Sequence, residues 1–294
     1  MLKGVDIGGS FVKVLWENGK REKYDIRKVK NSKDEFLRKL TEIITEGDPD
    51  GVGIAVAGFT SLQGKVYKSP NIPVLDGVDF ELLLKDSGIP FVIGNDVSVA
   101  SFGEWFFDHR DSQILILIAV GTGLGGGLVV EGKPFLGSCG SAMEAGHQIL
   151  IKNGRLCNCG RKGCWEAYCS SYGLERTYRE LGGYSLKNAE IIKRAKEGEK
   201  TALQAVEIFK EFMALGIMNL LHLINPDRVV LGGGIVEGLK DLLVDLEGKV
   251  KNIAEELPAK CFKLYFSSEG EYLGARGALA LIKRFLSDTK ADGR

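Results

Sequence analysis

The sequence predicts an α/β protein made of two related lobes with a cleft between them. Short apolar strands alternate with helical segments, and a glycine-rich hairpin opens each half of the chain. The smaller first lobe is predicted over 1–112, joined by a C-terminal helix at about 275–294. The larger second lobe is predicted over 113–274. A charged loop at 108–113 marks the boundary.

Bulk properties exclude several classes of protein. The chain has 39 basic and 39 acidic residues and a net charge of zero, so it provides no field for nucleic acid or an anionic membrane. The apolar run at 114–120 is far shorter than the ~20 residues of a membrane helix. The first residues lack a signal-peptide pattern. We therefore expect a cytoplasmic protein without nucleic-acid or membrane partners, and a homodimer is the usual state of such a protein.

The first elements form a hairpin. Residues 2–7 are predicted as a strand, Gly8 and Gly9 as the turn, and 11–16 as the returning strand. Amides that converge in a turn without Cβ atoms can hold phosphate oxygens, although tight turns between buried strands use the same residues. Asp6 ends the first strand, where a carboxylate is costly unless it faces a cation or water. Magnesium held through waters is a fitting partner.

Helical spacing recurs between the strands. Ser32 and Glu35 form a capping box that predicts a helix start. A strand at 91–94 ends in Asn95 and Asp96, and an aspartate at a helix start favours a cap when it is taken alone. The adjacent amide changes that balance, because an amide and a carboxylate can share a substrate hydroxyl, one orienting it and the other accepting its proton. The predicted helices cover 97–107, 170–181, 187–197, 201–224, 237–256 and 271–286.

The second half opens on the same pattern as the first. A strand at 114–120 leads through a glycine turn at 121–127 into another strand, and Thr122 supplies a hydroxyl as Ser10 does in the first turn. Neither turn has the spacing of a P-loop or of a Rossmann fingerprint. Two such turns are stronger evidence for phosphate binding than one. A third strand, at 228–234, also ends in glycines before a helical segment.

A metal site is predicted between Glu144 and Glu166. A structural zinc ion takes four thiolate or imidazole ligands in a tetrahedron, and Gly160 and Gly163 allow the tight turns that such a site needs. Free thiols are the competing interpretation, and a disulfide framework is disfavoured in a chain of this length. The two glutamates are then either solvated surface charges or ordered acceptors for a polyhydroxylated ligand. The four predicted ligands are His147, Cys157, Cys159 and Cys164.

Taken together, these motifs resemble the ROK family of sugar kinases, within the group that shares the sugar kinase, actin and heat-shock ATPase fold. The resemblance covers essentially the whole chain. It implies two lobes of the actin-like ATPase (ribonuclease H-like) type and transfer of the ATP γ-phosphoryl group to a hexose, either glucose or a related sugar or N-acetylhexosamine. The motifs are DIGGS at 6–10, NDVSVASFGE at 95–104, GTGLGGG at 121–127, EAGH at 144–147, CNCGRKGCWE at 157–166, VVLGGG at 229–234 and LGARGAL at 273–279.

The resemblance also implies roles for single residues. Asp96 is the general base, and Asp6 helps to place Mg²⁺. The expected sugar contacts are Gly58, Asn95, Asp96, Glu144, His147 and Glu166. The expected phosphate contacts of ATP are Gly8, Gly9, Ser10, Thr122 and Gly123, with Gly232 and Gly233 against the adenosine. The zinc ion is structural, and its loss is expected to weaken sugar binding before nucleotide binding.

Some positions depart from the family pattern. Ser10 stands where threonine is usual, and Phe11 follows where a small polar or basic residue is common, with Lys13 as the nearest cation. These departures leave the sugar open. The alternative function is a sugar-binding protein or transcriptional regulator of the same family without kinase activity. The regulators carry an N-terminal winged-helix domain, for which a glycine turn that begins at residue 6 leaves no room.

Overall fold

A computed structural model describes residues 1–29, 32–61 and 64–292, with side chains up to Thr289. The predicted α/β class is confirmed by two five-stranded sheets with helices between their strands. The last two residues of the predicted C-terminal helix, 293–294, lie outside the described residues. Within the described part of the chain, no helix combines the length and apolar character that crossing a membrane requires.

The chain forms two compact units. The first comprises Met1–Asp111, Gly127–Ala142 and the chain from Glu271 on, and the second comprises Ser112–Gly126 and Met143–Gly270. The division expected from sequence differs in assigning 127–142 to the second lobe, and it stays a prediction.

The sheet of the first unit has the strand order β3-β2-β1-β4-β7. Strands β1, β2 and β3 are antiparallel neighbours, whereas β4 runs parallel to β1 and to β7. Every residue of β4 is buried, as expected for a parallel strand covered on both faces. The strands are β1 (Leu2–Ile7), β2 (Phe11–Trp16), β3 (Arg21–Asp25), β4 (Gly51–Val56), the short pair β5 (Phe59–Thr60) and β6 (Val66–Lys68), and β7 (Phe91–Asn95).

The described residues of the first unit form four α-helices, namely α1 (Lys33–Thr45), α2 (Phe80–Leu84), α3 (Asp96–Asp108) and α10 (Leu273–Asp292). Helix α1 buries Phe36 and Leu40 in one apolar cluster with strands of the sheet. Helix α10 packs on the sheet and on α3 with almost no side chain between them. A Cβ on Gly53 would lie 1.8 Å from the carbonyl oxygen of Ala278, and one on Gly103 would lie 2.6 Å from the Cα of Gly277. Glycine is therefore required where α10 crosses β4 and α3.

The second sheet has the order β10-β9-β8-β11-β12, in which β8, β11 and β12 are parallel. By residue, β10 and the end of β9 are assigned to the first unit. The strands are β8 (Ile114–Val120), β9 (Leu124–Val130), β10 (Lys133–Pro134), β11 (Arg228–Gly232) and β12 (Lys263–Phe266). The helices are α4 (Ser171–Glu180), α5 (Asn188–Lys196), α6 (Lys200–Ile224), α7 (Gly234–Leu239), α8 (Leu246–Ile253) and α9 (Glu256–Cys261).

Two predicted elements are wrong. The glycine turn expected over 121–127 is shorter, because β9 already begins at Leu124 and takes the last three glycines into the strand. The single helix expected over 237–256 is two helices, α7 and α8, with a 3₁₀ turn at Lys240–Leu242. Asp245 at the start of α8 lies 3.0 Å from the ammonium of Lys210 on α6. This ion pair joins the start of α8 to α6, whereas periodicity alone predicts a continuous helix.

Candidate active site

Asp6 and Lys13 face each other across the first hairpin. They are register partners on β1 and β2, and the ammonium of Lys13 lies 4.0 Å from a carboxylate oxygen of Asp6. Burial raises the pKa of Asp6 to about 6, and the charge of Lys13 opposes that rise. Phe11 is not part of this ion pair. The ammonium of Lys23 lies 4.5 Å from the centre of its ring. The hairpin thus places a carboxylate and a cation beside the turn of Gly8, Gly9 and Ser10.

Asn95, not Asp96, caps helix α3. The Oδ1 atom of Asn95 accepts the backbone N–H groups of Val97 and Ser98 at 3.2 and 3.0 Å, so the cap that the sequence assigned to an aspartate belongs to its neighbour. The amide Nδ2 of Asn95 donates to the carbonyl of Gly58 at 3.0 Å and to Oδ1 of Asp96 at 3.1 Å. Asp96 is held in place by this amide.

Gly58 has a backbone that requires glycine. Its φ is +155°, and a Cβ there would lie 2.5 Å from the carbonyl oxygen of Lys68. A cavity of about 320 Å³ opens beside Asn95, lined by β7, the start of α3 and the segment 134–140. The three predicted sugar contacts of the first unit therefore lie together at the carboxyl ends of β4 and β7.

The four predicted zinc ligands converge in the second unit. Their ligand atoms all lie within 4.8 Å of one another. The sulfurs of Cys159 and Cys164 are 3.7 Å apart, and the sulfur of Cys157 is 3.9 Å from Nδ1 of His147. A tetrahedral zinc ion with bonds of ~2.0–2.3 Å needs ligand atoms about 3.5–3.8 Å apart. The donor set and its spacing fit a structural zinc ion.

Local backbone geometry builds this knuckle, which we define as His147 together with 157–164. Gly160 and Gly163 have φ values of +84° and +85°, and a Cβ on Gly163 would lie 1.8 Å from the carbonyl oxygen of Ile151. Burial raises the pKa of the Cys164 thiol to about 12, and its hydrogen bond with the thiol of Cys159 acts in the same direction. Because zinc binds thiolates, metal binding at this site releases protons.

Both glutamates that flank the knuckle lie beside it. Glu144 has a carboxylate oxygen 3.9 Å from Nε2 of His147, and burial raises the pKa of Glu144, with the charge of Glu166 acting in the same direction. Glu166 accepts the backbone N–H of Leu124 at 3.0 Å and the hydroxyl of Tyr172 at 3.1 Å. The second glutamate is therefore an ordered acceptor and not a solvated surface charge.

The second and third glycine motifs meet at the ends of β8 and β11. Gly232 pairs with Ala119. Gly233 has a φ of +91°, and a Cβ there would lie 2.4 Å from the carbonyl oxygen of Val120. A cavity of about 450 Å³ adjoins the next glycine, Gly234, and is lined largely by α5. Thr122 and Gly123 lie in the turn after β8.

Each unit thus collects its own predicted site residues. The first unit holds Asp6, Gly8, Gly9, Ser10, Gly58, Asn95 and Asp96, and the second holds Thr122, Gly123, Glu144, His147, Cys157, Cys159, Cys164, Glu166, Gly232 and Gly233. Tyr172 was missed, because a tyrosine eight residues after Cys164 belongs to none of the recognised motifs. Lys13 carried a usable signal: alternation along β2 directs it to the same face as its register partner Asp6.

Fold and site together define the class of protein: a two-unit α/β protein of the actin-like ATPase type with sugar-kinase relatives. Within that class the chain belongs to the ROK family, which matches residues 2–285.

The relatives agree with this placement. The chain is 32% identical over 308 residues to N-acetyl-D-glucosamine kinase of Histophilus somni, covering 96% of this chain and 99% of that protein. It is 30% identical to glucokinase of Thermotoga maritima, covering 96% and 97%. Among solved structures, a ROK family glucokinase from Streptomyces griseus in complex with glucose and AMPPNP superposes with a TM-score of 0.82 at 26% identity, covering 96% of this chain and 99% of that one.

Proposed function

We propose that the chain transfers the γ-phosphoryl group of ATP to a hydroxyl of a hexose, with Asp96 as the general base. The observation that carries the assignment of the base is the division of labour at the start of α3. Asn95 accepts two of the free amides at the helix start, so Asp96 is not needed as the side-chain cap. Its carboxylate is oriented by the amide of Asn95 instead, and Asn95 itself lines a cavity that can admit a ligand.

The proposed reaction moves one proton and one phosphoryl group. Asp96 accepts the proton of the sugar hydroxyl as its oxygen forms a bond to the γ-phosphorus. The bond between that phosphorus and the β,γ-bridging oxygen breaks, and ADP leaves with the electron pair. Such a reaction asks the protein mainly for positioning and charge stabilisation. Asn95 and Gly58, which are linked by a hydrogen bond, hold the sugar so that the hydroxyl faces Asp96.

The nucleotide would use the glycine motifs. Gly8, Gly9 and Ser10 in the first unit and Thr122 and Gly123 in the second offer turns that bind phosphate oxygens. Gly232 and Gly233 come directly before Gly234, which lines a cavity. That cavity would take the adenosine. Asp6 would hold Mg²⁺ through waters, and the ion would neutralise developing phosphate charge. Lys13 adds a second cation near Asp6.

The zinc ion would have a structural role. Its four ligands fill a tetrahedron and leave no position for water or substrate, so it would contribute rigidity. His147 presents Nδ1 to the cysteine cluster and Nε2 to Glu144. The knuckle would thereby fix the side chains of His147 and Glu144, which can both contact sugar hydroxyls.

The sugar is proposed from the relatives' names. They are called N-acetyl-D-glucosamine kinase and glucokinase, so we propose glucose or N-acetylglucosamine as the hexose. The test is a coupled ADP-release assay with ATP, Mg²⁺ and a panel of hexoses: glucose, N-acetylglucosamine, N-acetylmannosamine, fructose and allose. Sugar-dependent ADP release with one preferred hexose is expected. Binding of a hexose without ADP release would instead assign the chain to the sugar-binding proteins or regulators of the family.

A further inference from the structure

Glu166 joins the knuckle to the turn after β8. Its Oε2 atom accepts the backbone N–H of Leu124, the first residue of β9, at 3.0 Å. A Cβ on Gly123 would lie 2.4 Å from the same oxygen. The absence of a side chain at Gly123 thus makes room for the carboxylate of Glu166, in addition to any role that Gly123 has in binding phosphate.

The same turn is also contacted by Ser171 and by Gly146. The N–H of Ser171 donates to the carbonyl of Gly121 at 2.9 Å, and the N–H of Gly121 donates to the carbonyl of Gly123 at 2.9 Å. Gly146, the residue before the zinc ligand His147, lies so close to Leu124 that a Cβ on it would be 2.1 Å from the Leu124 carbonyl oxygen. Contacts from the chain around the knuckle therefore fix both ends of the turn.

The other carboxylate oxygen of Glu166 faces the metal ligands. Oε1 accepts the hydroxyl of Tyr172 at 3.1 Å and lies 3.4 Å from the sulfur of Cys157. The hydroxyl of Tyr172 also lies 3.6 Å from that sulfur. One glutamate thus touches a predicted zinc ligand with one oxygen and the glycine turn with the other, and a tyrosine hydroxyl fixes its orientation.

We propose that Glu166 and Tyr172 are positioning residues that couple the zinc knuckle to the phosphate-binding turn at 121–123. Occupancy of the metal site then sets the geometry of the turn, and through it the affinity for nucleotide phosphates. The proposal rests on the proposed function, which makes this turn a phosphate site. It departs from the expectation that metal loss weakens sugar binding first, because Glu166, two residues after the knuckle, accepts a hydrogen bond from the residue that follows the nucleotide turn.

The test measures ligand binding and not turnover. Titration calorimetry with Mg²⁺–AMPPNP and with adenosine compares the wild type with Tyr172→Phe and Glu166→Gln. Tyr172→Phe keeps the ring and removes one hydroxyl, so it stays informative if Glu166→Gln fails to fold. The matched control is Tyr178→Phe, whose hydroxyl donates to the carboxylate of Glu199 at 3.1 Å in the same unit. The wild type is also measured after its metal has been removed with a chelator.

Loss of a hydrogen bond to a charged group is large enough to weaken AMPPNP binding about tenfold in both variants. We expect that loss for AMPPNP, no change for adenosine, and an AMPPNP affinity within about twofold of the wild type for Tyr178→Phe. Metal removal should weaken AMPPNP binding in the wild type and add little in Tyr172→Phe, because the two changes break one coupled set of contacts.

Two results would overturn the inference. If Tyr172→Phe and the metal-free wild type bind AMPPNP as tightly as the metal-loaded wild type, the turn does not depend on the knuckle. If Glu166→Gln then loses affinity for the hexose and not for AMPPNP, Glu166 is a sugar ligand only. If the metal-loaded wild type binds no AMPPNP in the presence of Mg²⁺, the proposed function itself fails, and the inference fails with it.

Discussion

At the scale of single residues, the sequence can name the atoms of the chemistry but not their division of labour. Asn95 and Asp96 are both candidates for the helix cap, and only side-chain positions assign the cap to Asn95. Glu166 is a plausible sugar ligand from its motif, yet its bond to Leu124 joins residues 42 positions apart and leaves no pattern in the chain. The position of Lys13 on the same face as Asp6 follows from strand alternation once the register of the hairpin is known.

Lys3 provides a prediction at this scale. It is fully buried, and its ammonium donates to the carbonyls of Ile43 and Glu46 near the end of α1. We expect Lys3→Met to lower the free energy of unfolding at pH 7 by about 2–3 kcal/mol, because these carbonyls lose a charged donor. Burial lowers the pKa of Lys3 to about 8 from the ordinary 10.5.

The lowered pKa fixes the direction of the pH dependence. Between pH 8 and 10.5 the folded protein binds fewer protons at Lys3 than the unfolded chain does, so the contribution of Lys3 to the free energy of unfolding rises with pH across that window. Urea denaturation should therefore give a larger gap between wild type and Lys3→Met at pH 9.5 than at pH 7. Lys39→Met, at a half-exposed position of α1 where Lys39 forms only a surface ion pair with Glu42, is the control and should change stability by less than about 0.5 kcal/mol. A gap that shrinks with pH would contradict the assignment.

At the scale of elements, local patterns predict existence and type well and boundaries less well. The first hairpin, β11 and most helices follow from spacing and capping residues. The break between α7 and α8 is not visible in the periodicity, and the early start of β9 depends on strand pairing, which glycine composition hides. The packing of α10 cannot be predicted from the sequence, because it depends on contacts such as that of Gly277 in LGARGAL with Gly103 of α3.

Helix packing through glycine predicts opposite effects for one substitution at two sites. Gly103→Ala in α3 should lower the free energy of unfolding by about 1–3 kcal/mol, because the new Cβ would be forced against the backbone of Gly277. Gly248→Ala in α8, where a Cβ would meet no atom within 4 Å, should raise it by about 0.5–1 kcal/mol through lower backbone entropy of the unfolded chain. Chemical denaturation of the two variants checks the signs. Equal effects would contradict the packing argument.

The knuckle predicts one zinc ion per chain. Metal analysis after dialysis should find one equivalent in the wild type and well below one in Cys159→Ser, because a hydroxyl replaces a thiolate ligand. Cys261→Ser is the control, since Cys261 is an exposed free cysteine of the same unit and should leave the metal content unchanged. Metal removal should also lower the melting temperature, because binding energy at a structural site is folding energy. An unaltered metal content in Cys159→Ser would sink the ligand assignment.

At the scale of the whole molecule, the sequence predicts two α/β lobes and the chemistry of each. It predicts that the C-terminal helix joins the first lobe, but it does not predict that 127–142 belong to the first unit, because that assignment depends on contacts between segments far apart in the sequence. The ROK family match covers residues 2–285, and the motifs recognised in the sequence, from 6–10 to 273–279, all lie within that range. A homodimer stays a prediction.

The most direct test of the central claim is the rate of ADP release by Asp96→Asn with the preferred hexose. Loss of general-base assistance should lower turnover by ~10²–10⁴-fold, while calorimetry should find the hexose affinity nearly unchanged, because Asn95, Gly58 and the other expected sugar contacts are untouched. Asp79→Asn, at the cap of α2, is the matched control and should keep the wild-type rate. A near-normal rate in Asp96→Asn would contradict the account.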